Sequence, residues 1–295
     1  MASKAAKTPK PLKSFKGTLL LVGVGKMGGA MLDGWLARGL RPKTVTVLDP
    51  KPGPRLRALA RQGVGINPRI SAKVGTKVGT RPGAKAPKAS VVVVAIKPQE
   101  AANVLPALAP RIGDATLVVS IMAGRTLAFL KDNLPPSASI VRAMPNLPAA
   151  IGRGIAVAVG NRHVTEAQRK TATELLAACG AVEWVDDEKL LDAVTAVSGS
   201  GPAYVFLLAE ALTSAAVAAG LPAALAAKLA RETVAGAGEL MLRSSLDAAT
   251  LRQNVTSPGG TTAAALEVLM GPGGFETLLA TAVGKATRRS RELAG

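Results

Sequence analysis

The sequence predicts an α/β domain followed by an all-helical domain, and three observations support this prediction. Continuous apolar runs, typical of buried strands, alternate with helical stretches through the first part of the chain. From about residue 186 onward the periodic segments are helical and no strand signal remains. The 295 residues, 48% of them hydrophobic, suffice for roughly two domains at ~150 residues each. We expect a flexible basic tail over 1–16, the α/β domain over 17–184 and the helical domain over 185–295.

Strands and helices follow one another in order through the α/β domain. A strand over 18–22 runs into a glycine-rich turn and a helix over 30–40, and a second strand over 44–48 ends at Asp49. The remaining segments are a short helix over 56–62 and strands over 91–96, 116–121 and 139–143, with helical stretches between the last three. This alternation predicts a parallel sheet with helices on its faces.

The helical domain is rich in alanine and poor in large side chains. Its helical segments are 187–197, 202–219, 222–243 and 261–270. Small residues let helices approach closely, which favours interleaving with a second copy of the chain.

Composition excludes several classes of site. One cysteine and one histidine exclude a disulfide framework, a cysteine metal cluster and a multi-histidine metal site, so we expect no metal. Every long apolar run contains glycine, proline or charge, and the N-terminus lacks the apolar region of a signal peptide. We therefore expect a cytoplasmic protein with no membrane partner.

The net charge of +18 is concentrated in two segments. Residues 1–16 contain five lysines and residues 67–89 contain six basic residues, and neither segment contains an acidic one. Such segments bind nucleic acid in some proteins, but these have almost no aromatic side chains to stack on bases. A solvated tail and loop are favoured, and a nucleic-acid partner is not expected.

The turn after the first strand carries the pattern Gly23-x-Gly25-x-x-Gly28, with Lys26 and Met27 between the last two glycines. Between a strand and a helix, this pattern is typical of a Rossmann-type dinucleotide-binding domain, in which the pyrophosphate lies at the helix N-terminus. The acidic residue expected at the end of the second strand is Asp49, which favours a ribose 2′-hydroxyl and hence NADH. Basic residues that suit the 2′-phosphate of NADPH follow it directly: Lys51, Arg55 and Arg57. The choice between NADPH and NADH stays open.

Three further motifs are candidate binding segments. Ala95-Ile96-Lys97-Pro98 ends the strand over 91–96, where such folds bind ligands, so Lys97 is expected to face the cofactor. Residues 198–202 (Ser-Gly-Ser-Gly-Pro) and 257–262 (Ser-Pro-Gly-Gly-Thr-Thr) each precede a helix. Free amides and hydroxyls there can receive a carboxylate or phosphate, although ordinary N-caps explain them equally well.

Together these segments resemble pyrroline-5-carboxylate reductases. The matching segments, in family order, are 23–28, 95–99, 142–149, 192–204, 254–262 and 289–293. The resemblance implies reduction of 1-pyrroline-5-carboxylate to proline with NADPH or NADH, the last step of proline biosynthesis. It also implies an interlocked homodimer, with further assembly of dimers, commonly into decamers.

The resemblance also assigns site residues. The Gly260 and Thr261 amides and the Ser257 hydroxyl hold the substrate carboxylate, and Thr262 points its hydroxyl at the ring nitrogen. Glu188 matches a residue near the product. Residues that match cofactor contacts are Gly23, Gly25, Lys26, Met27, Gly28, Asp49, Ala95, Ile96, Lys97, Pro98, Ala123 and Asn254.

The sequence departs from the family pattern at three places. Leu147 stands where many members have threonine, which implies the loss of a hydrogen bond near the nicotinamide. The segment 67–89 is longer than the usual connection, and the tail before Gly17 has no family counterpart.

Two other functions require sequence features that differ from those of this chain. A β-hydroxyacid dehydrogenase requires a lysine on the helix after Gly201, and residues 203–219 contain none. A non-catalytic regulator that binds NAD(P) and nucleic acid predicts a damaged 257–262 motif, which is intact.

Overall fold

The structure, a computed structural model, describes residues 11–67 and 88–294, so most of both basic segments lies outside the described residues. The described residues form two compact units: a first unit of residues up to 199 that starts at residue 11 and also includes 289–294, and a second unit, Ser200–Arg288. The domain boundary expected near residue 184 stays a prediction.

Among the described residues, the first unit contains a sheet of eight strands in the order β3-β2-β1-β4-β5-β6-β7-β8. The strands are β1 Leu19–Val22, β2 Val45–Leu48, β3 Gly65–Ile66, β4 Val91–Val94, β5 Leu117–Ser120, β6 Ser139–Met144, β7 Gly154–Gly160 and β8 Gly180–Trp184. All neighbouring strands pair in parallel except β6 and β7.

The five strands that the sequence predicted, β1, β2, β4, β5 and β6, pair in parallel as expected, and the antiparallel pair involves β7, which it did not predict. Only a short 3₁₀ turn, Leu147–Ile151, lies between β6 and β7. A parallel pair needs a crossover of a dozen or more residues, so this short connection returns the chain antiparallel. Sequence patterns had also missed β3, β7 and β8.

Helices cover both faces of the sheet. They are α1 Lys26–Ala37, α2 Pro54–Arg61, α3 Ala101–Leu108, α4 Leu127–Asn133, α5 Glu166–Leu176 and α6 Leu190–Val194. Successive residues of β1 alternate between two buried clusters, with Leu21 beside Trp35 on one face and Leu20 beside Leu105 on the other. This burial on both faces explains why β1 and β4 are continuous apolar runs.

Part of the segment assigned to a flexible tail is packed. Leu12 is only 3% exposed, and its amide donates to the Arg38 carbonyl oxygen at 2.7 Å. Leu12 and Phe15 are apolar residues among lysines, and both join the core cluster around Trp35. The described part of the segment is therefore anchored to the first unit.

The second unit is helical. Its helices are α7 Gly201–Ala218, α8 Ala223–Arg243, α9 Ala248–Asn254, α10 Thr261–Leu269 and α11 Phe275–Ala294, the last of which ends in the first unit. Sequence patterns predicted all of these except α9 and α11. Many large apolar side chains in this unit are exposed, among them Phe206 and Leu207 on α7.

One helical segment, Leu190–Ala218, is long and apolar enough to cross a membrane by length and composition alone. This differs from the sequence-based expectation, which treated residues 198–202 as a break. A π-helical turn, Thr195–Gly199, instead connects α6 to α7 with little interruption.

Candidate functional site

The glycine turn joins β1 to α1 through a backbone that requires glycine. Gly23 has φ +89°, a left-handed conformation that L side chains rarely adopt, and its amide donates to the Leu48 carbonyl oxygen at 2.8 Å. Gly25 precedes α1 as its cap and offers no side chain to the first amides of the helix. Those amides therefore remain available at the positive end of the helix dipole.

Gly25 and Gly28 differ in what surrounds them. A Cβ atom on Gly28 would overlap the Gly23 carbonyl oxygen and lie 3.0 Å from the Ala95 Cβ, so this glycine permits close packing of α1 on the turn. A Cβ atom on Gly25 would meet nothing within 4 Å. The space beside Gly25 is therefore open for a ligand to approach the backbone.

Asp49 fastens the end of β2 to this turn. One carboxylate oxygen accepts from the Val24 amide at 2.9 Å, and the other accepts from the Lys51 amide at 2.8 Å. Asn67, at φ 43°, holds the Asp49 backbone by two bonds, one from its Nδ2 to the Asp49 carbonyl oxygen at 2.6 Å and one from the Asp49 amide to its Oδ1 at 2.8 Å. Sequence reasoning had missed Asn67, whose only signal is that asparagine tolerates a left-handed backbone.

Two of the three basic residues after Asp49 have side-chain partners within the described part of the chain. Arg55 forms an ion pair with Asp33 on α1, and both side chains are about half exposed. Arg57 donates from Nη1 to the Pro52 carbonyl oxygen at 3.0 Å. Both arginines are exposed, and Arg55 lies against the first turn of α1 at Gly29, so a phosphate bound there could compete for it.

The ends of β4 and β5 lie at the same edge of the sheet as the glycine turn, because both strands run parallel to β1 in adjacent positions. Ala95 donates its amide to the Val22 carbonyl oxygen at 2.8 Å. Lys97 is exposed before Pro98, and Ala123 is exposed in the loop that follows β5. The fold thus brings the predicted cofactor contacts of the first unit together at one edge.

Glu188 has partners in two other elements. Its Oε1 accepts from the Arg142 Nη1 at 2.7 Å and from the Leu127 amide at 2.8 Å. The loop after β6 has a second link, from the Asn146 Nδ2 to the Ser198 carbonyl oxygen at 3.1 Å. Sequence reasoning had anticipated neither link. Leu147, the residue after Asn146, is 47% exposed, and its side chain has no polar atom that could form a hydrogen bond with a ligand.

In the second unit, the 257–262 loop closes with a turn of its own. The Gly260 amide donates to the Ser257 carbonyl oxygen at 3.0 Å, and Gly259 has φ +68°. Gly260 is the cap of α10 and gives no side-chain acceptor, which leaves the first-turn amides from Thr261 onward without an intrahelical acceptor. In this conformation Thr261 and Thr262 supply free amides, whereas the Gly260 amide is already bonded.

The helix that leads to this loop is firmly capped. Asp247 accepts from the Thr250 amide at 2.7 Å through Oδ1, and this bond lowers the pKa of the Asp247 carboxyl. Asn254 ends the same helix and is exposed. The cofactor contact predicted at Asn254 therefore belongs to the second unit, unlike the other eleven.

Two other observations bear on chemistry. Cys179 is buried in the core, and this burial raises the pKa of its thiol to about 11. Within residues 11–67 and 88–294, no cluster of three or more His, Cys, Asp or Glu side chains is arranged to hold a metal ion.

Two family profiles match the chain. The profile described as pyrroline-5-carboxylate reductase dimerisation matches residues 188–293, and the profile described as NADP oxidoreductase, coenzyme F420-dependent, matches residues 18–124. The first covers the helical segments with exposed apolar side chains, and the second covers the glycine turn and the ends of β4 and β5.

Whole-length relatives are also similar. A pyrroline-5-carboxylate reductase from Pseudomonas aeruginosa is 38% identical over 276 residues, 94% of this chain and 96% of the relative. The structure of a pyrroline-5-carboxylate reductase from Coxiella burnetii superposes with a TM-score of 0.82 at 33% identity, covering 95% of this chain and 99% of that one. A Plasmodium falciparum pyrroline carboxylate reductase, crystallised with NADP bound, gives a TM-score of 0.75 at 26% identity, with coverages of 95% and 99%.

Proposed function

The chain belongs to the pyrroline-5-carboxylate reductase family, and we propose that the glycine-turn edge of its sheet holds the coenzyme while the 257–262 loop holds the substrate. The protein is an NAD(P)H-dependent oxidoreductase that reduces the C=N bond of 1-pyrroline-5-carboxylate to L-proline, the last step of proline biosynthesis. The observation that supports the coenzyme site best is the uncapped start of α1 beside the open space at Gly25.

The first unit provides most of the proposed coenzyme contacts. The amides that start α1, from Lys26 onward, bind the pyrophosphate, and Asp49 holds the turn in shape for it. The other proposed contacts are Gly23, Gly25, Met27, Gly28, Ala95, Ile96, Lys97, Pro98 and Ala123, with Asn254 from the second unit. When bound, the coenzyme supplies the hydride.

The second unit provides the proposed substrate cradle. The Thr261 and Thr262 amides, at the positive end of α10, and the Ser257 hydroxyl bind the substrate carboxylate. Gly260 shapes the turn, and its amide joins the cradle only if its bond to Ser257 opens. Thr262 also places its hydroxyl at the ring nitrogen, and Glu188 lies near the product.

Reduction of a cyclic imine requires little acid–base catalysis from the side chains. A cyclic imine takes up a proton readily, so the site needs no strong general acid. The chain's contribution is to fix the ring by its carboxylate, orient the C=N carbon and keep a hydroxyl at the nitrogen. This agrees with a site that contains no histidine among its proposed residues.

The dimerisation profile supports a homo-oligomer. We propose that α7 and the helices around it pair with a second copy of the chain, which covers the apolar side chains around Phe206 and Leu207. This pairing explains the apolar character of Leu190–Ala218 better than a membrane does. The cradle of one subunit then serves the coenzyme of the other, and dimers assemble further, as in a decamer. We place the protein in the cytoplasm without a nucleic-acid partner. Light scattering of the purified protein should give a multiple of the chain mass of 29.8 kDa.

The cradle is tested by Ser257→Ala. We expect the KM for 1-pyrroline-5-carboxylate to rise about tenfold, the effect of one lost hydrogen bond to a charged group, with the Kd for NADPH unchanged. Ser137→Ala, which removes an exposed serine hydroxyl of the first unit, is the matched control and should change neither constant. An unchanged substrate KM in Ser257→Ala would refute the cradle.

A further inference from the structure

Arg142 is a charged residue in an apolar place. It lies on β6 directly opposite Val159 of β7, and opposed residues of an antiparallel pair project from the same face. Val159 belongs to a buried cluster with Val157 and Leu191 of α6. The Arg142 side chain is only 6% exposed, so its charge needs a partner within the protein.

Glu188 is that partner, and the carboxylate oxygen that accepts from Arg142 also accepts from a second donor. Its Oε1 lies 2.7 Å from the Arg142 Nη1 and 2.8 Å from the Leu127 nitrogen, and its side chain is 26% exposed. Leu127 is the first residue of α4, and Thr126 before it caps that helix by accepting from the Phe129 amide at 3.1 Å. The carboxylate therefore joins β6, the start of α4 and the segment that precedes α6.

The loop after β5, which contains Ala123, ends at Leu127. The hydrogen bond from the Leu127 amide to Glu188 therefore holds the end of this loop. This loop leaves β5 beside the glycine-turn edge, where we have proposed the coenzyme site. Bonds to a charged acceptor are shorter and stronger than neutral ones, so Glu188 fixes the Leu127 amide more firmly than an exposed capping residue would. The position of the loop then depends on whether Arg142 keeps Glu188 in place.

We propose that Arg142 and Glu188 form a positioning pair that sets the loop after β5 for the nicotinamide end of the coenzyme. This inference rests on the proposed function, because it takes Ala123 as a coenzyme contact. Glu188 acts through the Leu127 amide, and Arg142 acts through Glu188. Arg142 is too deeply buried to touch a ligand itself, and this makes it the more informative position to change.

The test compares Glu188→Gln with Arg142→Gln in the full-length protein. Misplacement of about 1 Å costs about 100-fold in rate, so both variants should lose kcat/KM for NADPH by up to this factor and bind NADPH more weakly in a fluorescence titration. The KM for 1-pyrroline-5-carboxylate should stay near the wild-type value in Arg142→Gln, which tests the pair independently of the proposed position of Glu188 near the product. The double variant should lose no more than either single variant, because the two residues act as one unit.

Controls separate positioning from general damage. Arg142→Lys and Glu188→Asp retain the charges and should recover much of the activity, and they replace the glutamine variants if those fail to fold. Glu239→Gln makes the same chemical change in the surface pair of Glu239 with Arg243 and should behave as wild type.

Two outcomes would overturn the proposal. A raised substrate KM in Glu188→Gln with normal kinetics in Arg142→Gln would make Glu188 a direct substrate contact. A lowered melting temperature with unchanged kinetics in both variants would make the pair purely structural. If the wild type binds NADPH but does not turn over 1-pyrroline-5-carboxylate, the proposed function fails, whereas the NADPH titration still tests the pair.

Discussion

The carboxylate of Asp49 accepts a hydrogen bond from the Val24 amide at 2.9 Å and so ties the end of β2 to the glycine turn. An acidic residue at this position is usually interpreted through its contact with the coenzyme ribose. In this chain both carboxylate oxygens also serve the backbone, since the second accepts from the Lys51 amide. Asp49 therefore shapes the coenzyme site whichever coenzyme is used.

This relationship predicts the behaviour of Asp49→Ala. Loss of the bond to Val24 should raise the KM for NADPH and for NADH together, by about tenfold, because a bond to a charged group stabilises by about 1.5–3 kcal/mol. Steady-state kinetics with both coenzymes provide the measurement, and Asp114→Ala, which changes an exposed aspartate, is the control. Weaker NADH kinetics with improved NADPH kinetics would show that Asp49 acts only on the ribose.

Gly25 and Gly28 should respond differently to the same substitution. Gly28→Ala places a Cβ against the Gly23 carbonyl oxygen, so it should lower the melting temperature and weaken coenzyme binding. Gly25→Ala has room for its Cβ and an ordinary φ of −71°, so stability should be retained while the Kd for NADPH rises. Thermal unfolding and fluorescence titration of both variants test this. Unchanged coenzyme affinity in both variants would contradict the assignment of the glycine turn.

Thr262 should matter for turnover more than for coenzyme binding. Thr262→Ala removes the hydroxyl proposed at the ring nitrogen, and we expect kcat to fall by about 100-fold, the lower end of the range for a lost proton-transfer or electrostatic contact. Thr262→Ser keeps the hydroxyl and should stay within severalfold of the wild type. A large rise in the Kd for NADPH in Thr262→Ala would assign this residue to the coenzyme instead.

Cys179 should be chemically inert in the folded protein. Burial raises its pKa to about 11, so only about one thiol in a thousand is ionised at pH 8, and the thiolate is the reactive form. A thiol-specific reagent should label Cys179 only after the protein is unfolded in denaturant. Rapid labelling of the native protein would show that the core around Cys179 opens readily.

The parts of the fold that the sequence predicted are those with one dominant signal. The strands β1 and β4 are apolar throughout because both of their faces are buried. The glycine turn requires three glycines at fixed spacing between a strand and a helix, and this pattern is visible in the sequence. In contrast, β8 (Gly180–Trp184) has no fully buried residue, so it lacked the apolar run used to find the others. Antiparallel pairing of β7 follows from the length of a connection, which residue type does not reveal.

The sequence predicted only part of the candidate site. Residue types and their spacing indicated the glycine turn and the 257–262 loop. They did not indicate that Asn67 fixes Asp49, that Glu188 joins Arg142 to Leu127, or that the Gly260 amide is bonded to Ser257. Each of these contacts depends on side-chain direction or turn geometry, and the first two join residues far apart in the chain.

The central claim is tested most directly by mixing the purified protein with 1-pyrroline-5-carboxylate and either NADPH or NADH, and measuring coenzyme oxidation together with the L-proline formed. We expect one proline for each coenzyme oxidised, with turnover reduced in Thr262→Ala. A folded oligomer that binds the coenzyme but forms no proline with either one would contradict the account.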